Sequence, residues 1–261
     1  MNFSKKNHDY LCNNKGVGKK LKNTLVLAIT LLSFTFTQAQ FWGSKKIKGN
    51  GNVTTITKST LDYDEIKCTG WMDFVLVKGN EGDIKIEGES NLLAYITVEV
   101  NNNTLKIKTE NNISLKPSYN KTITITIPFK KIDYVSLSGS GDIISRDKIV
   151  ANSFTARISG SGDIILDLEA KHANASVTGS GDLTLKGKTK TLKTSVTGSG
   201  DFHGYNLYAE DVEAKVTGSG DVEVVCNGNL NARVTGSGDI EYKGSPKSKD
   251  SKVIGSGSIG N

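Results

Sequence analysis

A single phrase, Val216-Thr217-Gly218-Ser219-Gly220-Asp221, decides the fold of this chain because close copies of it return along the sequence. Six copies carry Gly-Ser-Gly-Asp after a Ser or Thr, and a seventh is a variant in which Ser258 replaces the Asp. The copies begin at Gly139, Gly160, Gly179, Gly198, Gly218, Gly236 and Gly255. They lie 18 to 21 residues apart. A fixed period near 20 without a helical pattern is typical of a solenoid of stacked coils.

The segments on either side of each phrase alternate apolar and polar residues, which is the pattern of half-buried strands. Examples are Ala173-x-Ala175-x-Val177 before a phrase and Leu183-x-Leu185 after one. Stacked at about 4.8 Å per coil, equivalent residues would superpose into inward ladders of Ala or Thr and of Val, Ile and Leu. Both glycines of a phrase are expected to allow positive φ at a sharp corner. The sequence therefore predicts an all-β fold, a parallel β-helix (β-solenoid) with about 19–20 residues per coil.

Weaker copies of the phrase precede Gly139. Residues 66–74 repeat it with Trp71-Met72 in place of Ser-Gly, and residues 47–53 fit the same frame 21 residues earlier, with Asn for Asp. Both segments are therefore expected to form degenerate coils at the start of the stack. Between residues 74 and 139, alternation predicts strands at residues 83–87, 96–100, 104–108 and 122–127, the last ending at Pro128.

The N-terminal region has the features of a secretory signal peptide. Residues 1–39 hold six Lys, one Asp and an apolar run at residues 25–34, and they end in Thr37-Gln38-Ala39. The run is shorter than the roughly 20 residues that a spanning helix needs, so no transmembrane anchor is expected after cleavage. We therefore predict a signal peptide at residues 1–39, a polar lead-in with a degenerate first coil at 40–60, and one adhesin-like domain at 61–261, with regular coils from about residue 133.

Cleavage would also remove most of the positive charge. The whole chain has 33 Lys and Arg against 27 Asp and Glu, and the signal peptide takes six of the bases and one acid with it. The remaining 27 bases and 26 acids give a net charge of +1. Nucleic-acid binding is not expected, because the basic excess lies in the removed segment.

The chain resembles the family called putative auto-transporter adhesin, head GIN domain. The resemblance covers residues 61–261 and depends on three features of the sequence. These are Asp64-Glu65-Ile66 leading to Asp73-Phe74-Val75-Leu76-Val77, the segment Asn91-Leu92-Leu93-Ala94-Tyr95-Ile96 before a strand, and the Gly-Ser-Gly-Asp series. It implies a right-handed parallel β-helix in a secreted bacterial protein of adhesin type, and it supplies no catalytic residues.

The aspartates of the phrases are the candidate cation ligands. They are Asp142, Asp163, Asp182, Asp201, Asp221 and Asp239. At coil spacing each adjacent pair of carboxylates repels by about 1 to 3 kcal/mol. Hydrogen bonds from turn N–H groups and the Ser hydroxyl would offset this cost. The alternative is a cation along the ladder, and calcium is the ion considered; otherwise no cofactor or metal is expected.

The threonines before the phrases form a candidate ligand-binding face. They are Thr178, Thr197, Thr217 and Thr235, with Ser138 and Ser159 at the equivalent earlier positions. A flat row of hydroxyls suits a glycan or an ice lattice, but Thr is also favoured on exposed strands for its shape alone.

No catalytic constellation is apparent. His172 and His203 lack the spacing of a metal site or a triad, so both are expected to be exposed coil residues. We therefore expect an exported, non-catalytic binding protein of the bacterial cell envelope, located in the periplasm, on the outer surface or outside the cell. Its partner would be a surface glycan or a protein. The alternatives are a β-helix polysaccharide lyase or hydrolase, and a structural scaffold of the envelope.

Two further expectations concern the cysteines and the end of the stack. Cys68 and Cys226 continue inward series seven to eight coils apart, roughly 35 Å, so they should be free buried thiols. The final coil is incomplete, and a basic loop containing Pro246 is expected to cap it. A monomer is therefore favoured.

Overall fold

The computed structural model describes residues 44–261, and the chain from Lys45 onward forms one compact unit. The predicted signal peptide lies outside the described residues. Within residues 44–261 the regular secondary structure is almost entirely strand, with one short helix, α1, at Ser90–Leu93. The first nine strands are β1 Lys45–Lys48, β2 Val53–Ser59, β3 Glu65–Gly70, β4 Asp73–Lys78, β5 Asp83–Glu89, β6 Ile96–Asn101, β7 Thr104–Thr109, β8 Ile113–Lys116 and β9 Thr124–Phe129.

The remaining strands belong to the repeats. They are β10 Tyr134–Gly139, β11 Ile143–Ser145, β12 Ile149–Gly160, β13 Ile164–Gly179, β14 Leu183–Gly198, β15 Phe202–Gly218, β16 Val222–Cys226, β17 Asn229–Gly236, β18 Ile240–Lys243, β19 Ser248–Gly255 and β20 Ile259–Gly260. The long strands serve two faces of the coil, since β13 pairs with both β11 and β12, and β15 pairs with both β16 and β17.

Equivalent strands of successive coils pair in parallel, which confirms the predicted β-solenoid. The pairing runs from β3 through β10, β12, β13, β14, β15 and β17 to β19. In this register the first glycines of all phrases superpose. Their order is Gly70, Gly139, Gly160, Gly179, Gly198, Gly218, Gly236 and Gly255. The degenerate copy at residues 66–74 is therefore a true coil.

The core consists of the inward ladders that the alternation predicts. One ladder contains Ala156, Ala175, Thr194, Ala214 and Ala232, and all five side chains are buried. A parallel ladder of Ile and Val lies two residues further along each strand. A single coil cannot cover its own inward side chains. Their burial is complete only when a neighbouring coil stacks on each side.

The two glycines of each phrase have different roles. Gly198 has a φ of 120°, in the left-handed region, and a Cβ there would meet the main-chain oxygen of Gly179. Gly200 lies outside that region, yet a Cβ on it would meet the main-chain oxygen of Gly181. The expectation of positive φ at both positions is therefore wrong for the second. That glycine is required because neighbouring corners approach too closely for any side chain.

The expected degenerate coil at residues 47–53 is not formed. β1 pairs with β8, and β2 runs antiparallel to β5. On the side of β3 away from β10, the neighbouring strand is β7. Apolar burial explains the difference, because β7 places Leu105 and Ile107, both fully buried, in register with Ile66 and Cys68. The apolar residues of segment 47–53 are only Ile47 and Val53, and Val53 is exposed.

The segment before Gly139 contains the predicted strands, but part of its pairing is antiparallel. β6 pairs antiparallel with β7, and β5 pairs antiparallel with both β2 and β9. β9 continues through Pro128, which lies opposite Val77 of β4, so the proline does not end the strand. This mixed sheet adjoins the first coils of the solenoid through β3 and β4.

The cysteines are free and buried, as predicted, but they lie closer along the stack than expected. Five coil steps, not seven to eight, separate the turns at Gly70 and Gly218, because β3 pairs directly with β10. Cys68 and Cys226 are free and almost completely buried. Burial raises the pKa of both thiols, so both are held in the unreactive protonated form.

Candidate functional site

The aspartate ladder is held together by main-chain hydrogen bonds between coils. The N–H of each ladder aspartate donates to Oδ1 of the aspartate one coil earlier. The N···O distances are 3.1 Å for Asp163 to Asp142, 2.9 Å for Asp182 to Asp163 and for Asp201 to Asp182, and 2.7 Å for Asp221 to Asp201 and for Asp239 to Asp221. Ser258, which replaces the last aspartate, donates its N–H to Asp239 at 2.6 Å.

This pattern differs in detail from the expected turn role. The donors belong to the following coil, and among residues 44–261 no Ser hydroxyl of a phrase hydrogen-bonds to a ladder carboxylate. Each carboxylate therefore links two coils through one oxygen. Within the same residues, no Lys or Arg lies within 4 Å of a ladder carboxylate, so its negative charge is opposed only by amide dipoles.

The predicted threonine ladder also forms. Thr178, Thr197 and Thr217 are in register on β13, β14 and β15, and Thr235 continues the column on β17. Ser138 and Ser159 extend it toward β3, where Thr69 occupies the same position. All of these side chains are exposed except Thr217, which is half-buried. The result is an unbroken column of hydroxyls that ends at Ile254 of β19.

A shallow polar groove borders the other side of the same face. It has a volume of about 560 Å³ and is lined by residues that include His172, Asn174, Lys193, Glu213 and Asn231. Lys193 and Glu213 form an ion pair across adjacent coils, with Nζ 2.9 Å from Oε1. The groove is not apparent from the sequence, because its residue types vary from coil to coil. Only the outward register of β13, β14, β15 and β17 brings them together.

The two histidines lie on different faces. His172 is exposed beside the groove, and its Nδ1 lies 2.9 Å from Oγ1 of Thr191. His203 is half-buried next to the aspartate ladder, and its Nδ1 lies 3.1 Å from Oε2 of Glu223. The prediction of an exposed coil residue is therefore right for His172, whereas His203 is packed among carboxylates.

Acidic groups continue beyond His203 across the following coils, at Glu223 and Glu241. Tyr205 donates its hydroxyl to Oε2 of Glu241 at 2.7 Å. Partial burial raises the pKa of Tyr205 to about 12, and the hydrogen bond to Glu241 adds to the shift. Lys243 lies over the Tyr205 ring, with Nζ 3.7 Å from its centre. The face around the corner from the threonine column is thus acidic toward its C-terminal coils, where Glu223 and Glu241 follow His203 in register.

Residues 44–261 contain no helix that is long and apolar enough to span a lipid bilayer.

Three solved structures share the architecture. A putative adhesin from Bacteroides fragilis is 27% identical, covering 82% of this chain and 99% of its own, with a TM-score of 0.75. A putative lipid binding protein from Parabacteroides distasonis is 28% identical, covering 83% and 99%, with a TM-score of 0.67. A putative adhesin from the same organism is 25% identical, covering 83% and 99%, with a TM-score of 0.66. Curated proteins yield no match to the chain.

The family comparison agrees with the fold and with the repeated phrase. The model of the family described as putative auto-transporter adhesin, head GIN domain, matches residues 62–246. This span runs from the segment before β3 through the last complete coil and includes the aspartate ladder and the threonine column. The chain therefore belongs to the putative auto-transporter adhesin, head GIN domain family.

Proposed function

We propose that the protein is an exported, non-catalytic binding protein that presents its threonine-bearing face to a surface glycan. The observation that carries the proposal is the register of the hydroxyl column, from Thr69 through Thr178 and Thr197 to Thr235. A polymer with its own repeat can meet such a column at many equivalent points, so weak individual contacts add up.

The composition of the face supports a polar ligand. Between the threonine column and the groove, Ser176 and Ser195 lie with their hydroxyl oxygens 3.3 Å apart. The groove adds amide groups from Asn174 and Asn231 and the Lys193–Glu213 ion pair. Hydroxyl, amide and charged groups are the partners that sugar hydroxyls use, whereas a lipid tail would require an apolar patch.

The aspartate ladder supports a non-catalytic role. Glycoside cleavage uses a pair of carboxyl groups with distinct environments and distinct protonation. The ladder carboxylates instead repeat one arrangement in every coil and accept main-chain hydrogen bonds. Such repetition favours a structural role over acid–base chemistry.

A glycan array with three proteins tests the proposal. The wild-type chain should bind at least one glycan class, and the double variant Thr197→Lys/Thr217→Lys should lose that binding, because two long cations disrupt the column. The matched control is Asn206→Lys, which adds a lysine to the same strand as Thr217 at an exposed position on another face. It should bind like the wild type.

The other outcomes identify the alternatives. Binding that survives the double substitution would place the ligand elsewhere. A blank array together with a protein partner recovered by cross-linking would favour the envelope scaffold. Release of new reducing ends or unsaturated products from a polysaccharide would indicate a hydrolase or lyase. Because one structural neighbour is described as lipid-binding, vesicles belong in the same assay, and binding to them instead of glycans would contradict the proposal.

A further inference from the structure

The column of outward residues two positions after the ladder aspartates changes character along the stack. In register it contains Val75, Ile144, Ile165, Thr184, His203, Glu223 and Glu241. It is apolar at one end and acidic at the other. His203 is the one nitrogen ligand in this column, and it occurs where the column meets the half-buried part of the aspartate ladder.

His203 converges with two ladder carboxylates. Asp182, Asp201 and His203 each place a potential ligand atom within 4.8 Å of the other two. The three residues come from adjacent coils, since Asp182 precedes β14 and Asp201 precedes β15. Two ligand atoms that are each about 2.0–2.2 Å from one ion lie at most about 4.4 Å apart, so a small inward movement of these side chains would let all three bind one ion.

The two carboxylates are already positioned, and each has an oxygen to spare. Oδ1 of Asp182 accepts the N–H of Asp201 at 2.9 Å, and Oδ1 of Asp201 accepts the N–H of Asp221 at 2.7 Å. These hydrogen bonds hold the carboxylates in place and leave the second oxygen of each for a ligand. Ordering the side chains before the ion arrives lowers the entropic cost of binding.

Glu223 orients the imidazole. Its Oε2 lies 3.1 Å from Nδ1 of His203, one coil further along the same column. With the proton on Nδ1 donated to Glu223, Nε2 keeps its lone pair. A carboxylate that holds the second nitrogen of a histidine in this way is the usual outer partner of a metal-binding histidine.

The local charge favours a dication. Asp182, Asp201, Asp221 and Glu223 lie on adjacent coils, and within residues 44–261 none of them has a Lys or Arg within 4 Å. A bound dication would replace repulsion between stacked carboxylates with attraction. The other ladder positions share the carboxylates but have no imidazole. Calcium takes oxygen ligands, whereas imidazole suits zinc, copper, iron and nickel.

From these observations we infer that Asp182, Asp201 and His203 form a surface site for one divalent transition metal ion, with zinc as the expected occupant and water completing its coordination. Glu223 is a positioning residue for His203. The site lies around the corner from the threonine column and does not depend on what that column binds.

Titration of the chelator-treated chain with zinc chloride tests the site, read by calorimetry and by the melting temperature. The wild type should bind one zinc with a rise in melting temperature, and calcium should give neither heat nor shift at equal concentration. His203→Gln should weaken zinc binding at least tenfold. His172→Gln is the matched control, since it removes the other described histidine from a different face, and it should bind like the wild type.

Three further variants assign the roles. Asp201→Asn should lose zinc binding, whereas Asp142→Asn, at the far end of the ladder, should retain it. Glu223→Gln should weaken binding by about 10- to 100-fold without abolishing it, as loss of an outer partner does. Equal zinc affinity in wild type and His203→Gln, or an equal loss in His172→Gln, would overturn the inference.

A measurement on the wild type alone guards against misfolded variants. In nitrogen-15 spectra of the imidazoles, zinc should move the His203 signals and leave those of His172 in place. Movement of neither histidine would also overturn the site.

Discussion

The main-chain N–H of Asp221 donates a 2.7 Å hydrogen bond to Oδ1 of Asp201, one coil before it. The same contact joins every neighbouring pair of the ladder, so the repeated aspartate is a link between coils. At the same corner, the N–H groups of Ser219 and Gly220 donate to the main-chain oxygen of Gly198. The Asp201 side chain gives the remaining N–H, that of Asp221, a partner that the neighbouring main chain does not provide.

This relationship predicts different outcomes for two substitutions at Asp201. Asp201→Ala removes the acceptor and should lower the free energy of unfolding by about 1 kcal/mol. Asp201→Asn keeps a carbonyl oxygen in place and relieves repulsion from Asp182 and Asp221, so it should leave stability nearly unchanged. Urea denaturation without metal measures both. An equal loss in the two variants would mean that the charge of the carboxylate, and not its hydrogen bond, stabilises the corner.

The period of the phrase was sufficient to predict the stack, because register in a solenoid follows directly from the spacing of equivalent residues. The period alone wrongly predicts a coil at residues 47–53. These residues match the phrase in sequence but lack its inward apolar residues. β7 matches the phrase poorly, yet Leu105 and Ile107 fill the inward positions beneath β3. Where the match to the repeated phrase and the burial of apolar surface favour different pairings, burial decides the pairing.

Some of the candidate sites can likewise be predicted from the sequence, and one cannot. The threonine column and the aspartate ladder repeat in the sequence, so they could be predicted. The Asp182–Asp201–His203 cluster depends on one histidine that appears in a single coil, and a spacing of two residues from Asp201 is not a recognised ligand motif. Only the stacking of β14 on β15 brings the third ligand close.

Thr194 interrupts the buried alanine ladder with a hydroxyl. Its side chain is 1% exposed, and Oγ1 makes no hydrogen bond with any group of residues 44–261. Thr194→Val keeps the shape and removes the unpaired polar atom, so it should raise the free energy of unfolding by about 1 kcal/mol.

The control is Thr104→Val. Thr104 is also buried, but its hydroxyl lies 2.9 Å from Oε2 of Glu65. Removing that hydroxyl should destabilise the protein. Chemical denaturation of both variants checks the pair, and destabilisation by Thr194→Val would indicate a hidden partner for its hydroxyl.

Glu89 should make stability depend on pH. Its buried carboxylate accepts hydrogen bonds from the Ser118 hydroxyl at 2.6 Å, the Ser118 N–H at 2.8 Å and the Gly51 N–H at 2.5 Å. These bonds, that of the Ser118 hydroxyl foremost, lower the pKa of Glu89. A lowered pKa in the folded state means that the contribution is complete above the unfolded value of about 4.3 and is lost as pH falls through the folded value.

Glu89→Gln isolates this contribution. The variant should be less stable than the wild type at pH 7, and the difference should shrink as pH falls below about 4. Glu87→Gln, an exposed neighbour on the same strand, should show no such convergence. A wild-type minus Glu89→Gln difference that stays constant from pH 7 to pH 3 would contradict the assignment.

The final coil, which contains β19, leaves one edge of the stack open. β19 pairs with β17, and among residues 44–261 no strand lies on its other side. The basic loop before it does not cover this edge, contrary to expectation, because Lys247 and Ser245 hydrogen-bond back to Gly228 and Asn227. Protection comes instead from the strand itself, whose residues are all exposed and include Lys249 and Lys252.

Lys249 is the residue that we expect to prevent end-to-end association. It stands in register with Leu230, an inward core position, but its Nζ lies 4.8 Å from the centre of the Tyr242 ring. A charge at an inward position of an edge strand opposes pairing with another chain, because pairing would bury it. Lys249→Leu would restore the inward ladder and expose apolar surface at the open end. Light scattering at micromolar concentration should then report a concentration-dependent dimer, whereas the wild type and Lys247→Leu, which removes the same charge from the loop, should remain monomeric. A monomeric Lys249→Leu variant would show that the edge is protected by something other than this lysine.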